Sequence, residues 1–243
     1  MIFKTNAIVL RQHPLRDADR LYYLLAPRDG KLKVLSRGAG KISSKMSGQM
    51  QPFSTVRVMI GRGKQDHLAG ADMLISRKEL RSDLLSITLA SAIAEIIVRL
   101  QVPGQEAQRE FLLTEQALHL ISDEHLDLRD KLNVVFITLW RLLAAAGWKP
   151  HFNSCYRCGK SLTEAIWSGE NGLICLEHNA DGLKITNDIL NYLANILSSE
   201  SWQNLIEQGR SLPSFELWQQ FSRAYYQQIA ERPFYALTML NFI

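Results

Sequence analysis

Cysteine is scarce in this chain: there are three in 243 residues, all between positions 155 and 175. So few thiols, spaced as metal ligands, exclude a disulfide framework and fit a reducing compartment. Long apolar runs are also missing. No stretch reaches the ~20 residues that a membrane-spanning helix needs, so no membrane partner is expected. The opening Met1-Ile-Phe-Lys-Thr-Asn6 has no basic region followed by an apolar core, which predicts no signal peptide and a cytoplasmic protein. No His-Glu-x-x-His occurs, which removes the usual helix-borne zinc hydrolase motif. Arg37-Gly-Ala-Gly-Lys41 is not a nucleotide-triphosphate loop, because Leu35 and Ile42 stand where that motif needs Gly and Ser or Thr. Clustered carboxylates for a nuclease are lacking, since the acids of the first 80 residues are scattered apart from Asp17 and Asp19. Those two read as turn residues that pair with Arg16 or Arg20. Internal repeats and low-complexity tails are absent. Together these gaps argue against an enzyme.

What the chain does have is an uneven charge. Residues 1–80 carry 15 Lys and Arg against 6 Asp and Glu, a balance of +9, whereas the rest carries −5. Such asymmetry points to a polyanionic partner for the first part and a domain boundary near residue 80, giving domains 1–80 and 81–243. Composition is otherwise that of a globular protein, 47% apolar and 21% charged.

The three cysteines make the sharpest local pattern. Cys155-x-x-Cys158, sixteen intervening residues and Cys175-x-x-His178 form two chelating pairs. Thiolate and imidazole suit Zn2+, and a two-residue spacer lets both ligands of a knuckle face one ion. His151 is a possible substitute for His178. Four protein ligands leave no vertex for water or substrate, so the expected zinc is structural. Gly159 suits the tight turn after the first pair, and Trp167–Gly172 reads as a hairpin turn inside a zinc ribbon or knuckle at about 151–180.

Five strands are expected before residue 80: Phe3–Gln12, Arg20–Ala26, Lys31–Arg37, Thr55–Ile60 and His67–Ile75. Their tight connections favour a small antiparallel barrel, with the five-stranded OB-fold leading. From residue 82 the apolar period becomes helical. Helices are predicted from Asp83 to Leu100, from Gln105 to Ile121, and after a cap at Asp127. After the cysteine stretch come three more, about Asn187–Ser199, Ser201–Gln208 and Ser214–Ala230. The fold class is therefore α+β and multidomain: a barrel, then a helical domain with an inserted zinc element.

An OB-fold barrel binds single strands with cations along the backbone and aromatics under the bases. Candidates for DNA contact are Arg16, Arg20, Tyr22, Lys31, Lys33, Arg37, Lys41, Lys45, Arg57, Arg62 and Lys64. Tyr22 and Tyr23 are adjacent on one strand, so only one of them faces outward.

The order of these parts resembles the bacterial recombination mediator family RecO. The opening Ile-Phe-Lys-Thr-Asn-Ala-Ile-Val-Leu, the Asp-Ala-Asp-Arg segment, the basic Ser-Arg-Gly-Ala-Gly-Lys stretch and the Cys-x-x-Cys inside a helical region all contribute. The resemblance spans essentially the whole chain. It implies non-enzymatic work: binding single- and double-stranded DNA, annealing complementary strands, and helping RecR load the recombinase RecA where single-strand binding protein coats the DNA. Zinc-binding members often use four cysteines; here His178 stands fourth. The family also takes the acidic, apolar C-terminal tail of single-strand binding protein on its helical domain. The helix after Asp127 offers cations beside apolar residues for such a tail: Arg129, Lys131, Leu132, Val135, Leu139 and Arg141. A non-catalytic protein adaptor with structural zinc is the competing reading.

Overall fold

The computed structural model describes residues 1–41, 44–169, 172–178, 181–198 and 201–238. The described chain forms two compact units, residues 1–124 and 125–238.

The first unit starts with five strands, β1 (Ile2–Pro14), β2 (Arg20–Ala26), β3 (Gly30–Ser36), β4 (Thr55–Gly61) and β5 (His67–Ile75). They close into a barrel in the order β1-β2-β3-β5-β4, with β3 and β5 parallel and the other pairs antiparallel. This is the expected five-stranded OB-type barrel. Its core is Val9, Tyr22, Leu24, Val34, Val56, Val58 and Ile60 with their smaller neighbours, alternate residues of each strand as the pleat requires. The β2–β3 turn ends at Gly30, whose φ is +62° and where a Cβ would run into the Gln105 carbonyl, so only glycine fits.

The stretch after β3, expected to be loop, contains a short helix α1 (Lys45–Gln49). Three further helices follow the barrel: α2 (Lys78–Ser82), α3 (Leu84–Leu100) and α4 (Gln108–Ile121). Asp83 caps α3 as the sequence suggests, accepting from the Ser86 N–H at 2.8 Å. Ile8, Leu10 and Leu25 alternate with barrel-core residues yet are buried, because α3 packs on β1 and α4 packs on β1 and β2. The composition change near residue 80 thus marks the end of the barrel strands, and the compact unit runs on to residue 124.

One buried ion pair ties these helices to the sheet. Arg77 donates to Glu115 Oε2 at 2.7 Å, to the Phe53 carbonyl at 2.9 Å and to Thr55 Oγ1 at 2.9 Å. Thr55 in turn donates to the other Glu115 oxygen. Arg77 sits in a left-handed conformation (φ +46°) that this network holds in place.

The second unit is built on α5 (Leu128–Ala145), with α6 (Asn187–Leu197), α7 (Trp202–Ser211), α8 (Phe215–Ala230) and the short α9 (Tyr235–Thr238). Its core is aromatic: Trp140 of α5 lies 5.8 Å from Trp218 and 4.8 Å from Tyr225, and Trp167 meets Phe221 edge-on. Between α5 and α6 a small sheet forms from β6 (Ala165–Trp167), β7 (Leu173–Ile174) and β8 (Leu183–Ile185), in the order β7-β6-β8. Trp167 pairs with Leu173 as the hairpin reading requires; Glu170 and Asn171 at its tip lie outside the described residues. The helix expected to reach Ser199 is described as far as Leu197, and Ser199 also lies outside.

Removing Arg77 would leave a largely buried Glu115 carboxylate without its cation. Arg77→Met is expected to cost about 3–5 kcal/mol of stability, read as a lower urea midpoint, with Glu115→Gln in the same background recovering part of it.

Candidate functional site

On β2 the pleat sends Tyr22, Leu24 and Ala26 into the barrel and leaves Leu21, Tyr23 and Leu25 outside. On β3 it sends Leu32 and Val34 inward and Lys31, Lys33 and Leu35 outward. Strand register then places Arg11 of β1, Tyr23 of β2 and Lys33 of β3 in one row across the outer face. His13 meets the Tyr23 ring edge-on, 5.8 Å between centroids. Burial, and then the charge of Arg11, lower the His13 pKa, which favours the neutral ring.

Two loops flank that row. The β1–β2 connection, which carries Arg16, is tied to the stretch after β3: Gly38 N–H donates to Asp19 Oδ1 at 2.7 Å and Gly40 N–H to the Ala18 carbonyl at 2.6 Å. This brings exposed Arg16, Arg37 and Lys41 to one rim. The β4–β5 loop, which carries exposed Lys64, lies along β3: Leu35 N–H donates to the Asp66 carbonyl at 2.9 Å and Gln65 reaches the Lys33 carbonyl at 3.3 Å. Arg16, Lys33, Arg37, Lys41 and Lys64 are therefore gathered on the β2–β3 side.

Other candidates are not part of that surface. Tyr22 is fully buried in the barrel core and cannot meet a base; the outward tyrosine is Tyr23. Lys31 donates its ammonium to the Val98 carbonyl at 2.6 Å, closing the C-terminal turn of α3, and burial lowers its pKa. Arg20 shares the inward face of Tyr22 and donates to Gln12 at 2.9 Å. Arg62 is paired with Asp29 and stacked 4.6 Å from the Phe3 ring centroid. Arg57 is exposed on β4 between Asn6 and Asp72, away from β2 and β3. The side chain of Lys45 lies outside the described residues. Arg11 and His13 were not among the sequence candidates, and Tyr23 was the alternative to the Tyr22 chosen there. Their signal was the alternation of β2, which is ambiguous because Leu21 and Leu25 make its outer face apolar as well.

In the second unit, a groove of about 740 Å³ runs between the first turns of α5 and α8, lined by Leu128, Arg129, Leu132, Pro213, Phe215 and Leu217 among others. Arg129 lies 4.3 Å from the Phe215 ring centroid and donates to the Gly209 and Leu212 carbonyls at 3.1 and 2.8 Å. Two of the six residues expected for a partner tail, Arg129 and Leu132, open on this groove. Val135 and Leu139 are fully buried in the core, so the expected apolar stripe there is not a surface. Arg141 caps α6 through the Ile196 carbonyl at 3.2 Å and lies over Trp202, three turns from Arg129 along α5. Lys131 is half-buried and does not line the groove.

The ligand atoms of Cys155, Cys158, Cys175 and His178 all lie within 4.8 Å of one another. Cys158 Sγ and Cys175 Sγ are 3.7 Å apart, close to the ~3.8 Å edge of a tetrahedron with 2.3 Å metal–sulfur bonds. The backbone shapes both knuckles: Gly159 N–H donates to the Cys155 carbonyl at 2.8 Å and His178 N–H to the Cys175 carbonyl at 3.2 Å. His178 Nε2 is buried with no hydrogen-bond partner, a vacancy that a metal bond would fill. Burial opposes ionisation of Cys155, but N–H groups of Cys175, Cys158 and Arg157 outweigh it and bring its pKa to about 6. Burial raises that of Cys175, followed by its contacts with Cys155 and Cys158. The cluster can hold one metal ion, and its donor set is compatible with zinc. His151 is exposed and is not part of it.

Metal analysis of the purified chain is expected to give about one zinc per molecule, since four ligands converge on one point. Cys158→Ser is expected to lower that content and to raise amide exchange across residues 152–185, with exchange of the barrel amides unchanged. Full metal retention in that variant would contradict the site.

Two family models match the chain. The one described as recombination protein O N terminal matches residues 1–72, and the one described as recombination protein O C terminal matches residues 81–237. The DNA repair protein RecO of Alkaliphilus metalliredigens (strain QYMF) is 28% identical over 214 residues, 84% of each chain. That of Bifidobacterium animalis subsp. lactis (strain AD011) is 25% identical over 244 residues, 99% of each chain. With family models matching residues 1–72 and 81–237, this chain, which has a closed five-stranded barrel, a helical second unit and a Cys3His cluster, belongs to the RecO family of DNA repair and recombination proteins.

Proposed function

We propose that this protein is a recombination mediator without an active site, which binds single- and double-stranded DNA and anneals complementary strands. The observation that carries this reading is the row Arg11–Tyr23–Lys33, flanked by the loops bearing Arg16, Arg37, Lys41 and Lys64. The β2–β3 face and its neighbouring loops are where OB-folds take oligonucleotides, with aromatic stacking and cationic tracking of the backbone. Two single strands repel through their phosphates, and cations held on a rigid face reduce that cost. Backbone contacts leave most base edges free to pair, so sequence preference is weak.

The rest of the cycle rests on family membership and the second unit. The groove beside Arg129 offers an apolar wall and a cation to the acidic, apolar tail of single-strand binding protein, with Asp127 and Glu216 also on its lining to orient the tail away from them. The Cys3His cluster holds a structural zinc. Cooperation with RecR in loading RecA, in the bacterial cytoplasm, completes the mediator role. Among the described residues no helix is long and apolar enough to cross a membrane.

Annealing of two complementary fluorescent oligonucleotides across a salt series tests the reading. Acceleration is expected, with log K falling on log salt at a slope of roughly −3 if about four phosphates are neutralised. No acceleration would return the protein to the adaptor class. Tyr23→Ala is expected to weaken single-strand affinity by ~5–100-fold, in line with stacking of one base. Tyr22→Ala is expected instead to destabilise the barrel by about 3–5 kcal/mol.

A further inference from the structure

A second concavity lies beside the same face. At the β1 bulge between Val9 and Arg11, a groove of about 370 Å³ is lined by Leu10, Phe53, Ile87, Arg11, Arg81 and Gln12, among others. Its walls are built rather than incidental. Phe53 takes a left-handed conformation (φ +65°), held by its N–H to the Val9 carbonyl at 2.7 Å and by Arg77 on its own carbonyl. Arg81 is pinned across the segment to the Pro52 carbonyl and Ser54 hydroxyl, both at 3.2 Å, and to Ser76.

The charge of the groove is one-sided. Among the described residues no carboxylate lines it. The hydrogen-bond partners of Arg81 are all neutral, and among the described residues Arg11 has no ion-pair partner. The Glu79 carboxylate acts on Arg81 only coulombically, and a half-buried guanidinium whose hydrogen-bond partners are neutral gains from an incoming anion. Gln12 has its carbonyl oxygen occupied by Arg20, which leaves its amide N–H groups available to an acceptor. Arg11 belongs both to this groove and to the row with Tyr23 and Lys33, so the two surfaces are continuous.

We propose that this groove receives one nucleotide of a single DNA strand that crosses the β2–β3 face, its base against Leu10, Phe53 and Ile87 and its phosphate beside Arg11 and Arg81. The proposal rests on the DNA-binding reading above and adds a site to it. An acidic, apolar peptide would satisfy the same walls, but continuity through Arg11 with a face shaped for a strand favours the nucleotide. One pocketed base would anchor the strand while its neighbours stay exposed for pairing.

The test uses the full chain with 13C-labelled Ile and Leu methyl groups and 15N-labelled backbone amides. It compares an oligothymidylate of about eight nucleotides, within the usual span of one OB-fold, with an abasic chain of equal length. The Ile87 methyl is expected to move upfield with the oligothymidylate and to stay in place with the abasic chain, while the Tyr23 amide responds to the oligothymidylate. Ser91→Phe, which fills the groove from α3, is expected to abolish the Ile87 shift and weaken oligothymidylate binding about tenfold; Ser91→Leu serves if the larger residue prevents folding. An Ile87 methyl that stays still while Tyr23 responds would overturn the groove and spare the DNA face. Silence at both positions would overturn the DNA reading itself. Movement of Ile87 with an acidic apolar peptide and not with DNA would assign the groove to a protein partner and overturn the proposal.

Discussion

Closure of the barrel through β1 is the constraint from which the rest of the first unit follows. One strand of 13 residues pairs along its first half with β4 and along its second half with β2. Closing the sheet this way leaves no long unpaired edge. To serve both partners the strand must bend, and it does so at the Val9–Arg11 bulge. That bend turns Leu10 under the helices and Arg11 outward. It also admits the 53–54 segment, whose Phe53 and Ser54 exchange hydrogen bonds with Val9. The row across the outer face and the groove beside it are both consequences of where β1 bends.

The charges of the basic half separate into two populations. Lys31, Arg77 and Arg62 are held by internal partners and serve the fold. Arg16, Lys33, Arg37, Lys41 and Lys64 are exposed on one side of the barrel. A composition count cannot separate these groups, because the acceptor of Lys31 lies 67 residues away in sequence, at Val98. The +9 balance therefore points to a polyanion without saying which cations would meet it.

Legibility followed locality. The metal cluster was readable because its spacing is set within 24 residues. Strand and helix positions were readable because period and capping residues are local; Asp83 and Asp127 cap the helices they precede. Which tyrosine of β2 faces out was not readable, since α4 buries Leu25 on the outer face and blurs the alternation. The stripe on α5 was correctly apolar, but from Leu132 to Leu143 the helix is buried on nearly every side, so Val135 and Leu139 are core. Short helices such as α1 and α2 have too few residues to show a period.

The tie between the β1–β2 loop and the stretch after β3 carries a thermodynamic corollary. Asp19 and Ala18 hold Gly38 and Gly40 by side-chain and main-chain hydrogen bonds, so the ordering of the rim is completed during folding rather than at the moment of contact. Loop-ordering entropy is thereby removed from the association step. On the proposed DNA-binding reading, a strand arriving at this rim would meet cations already in place, and its capture would have the character of docking on a rigid template rather than of mutual folding.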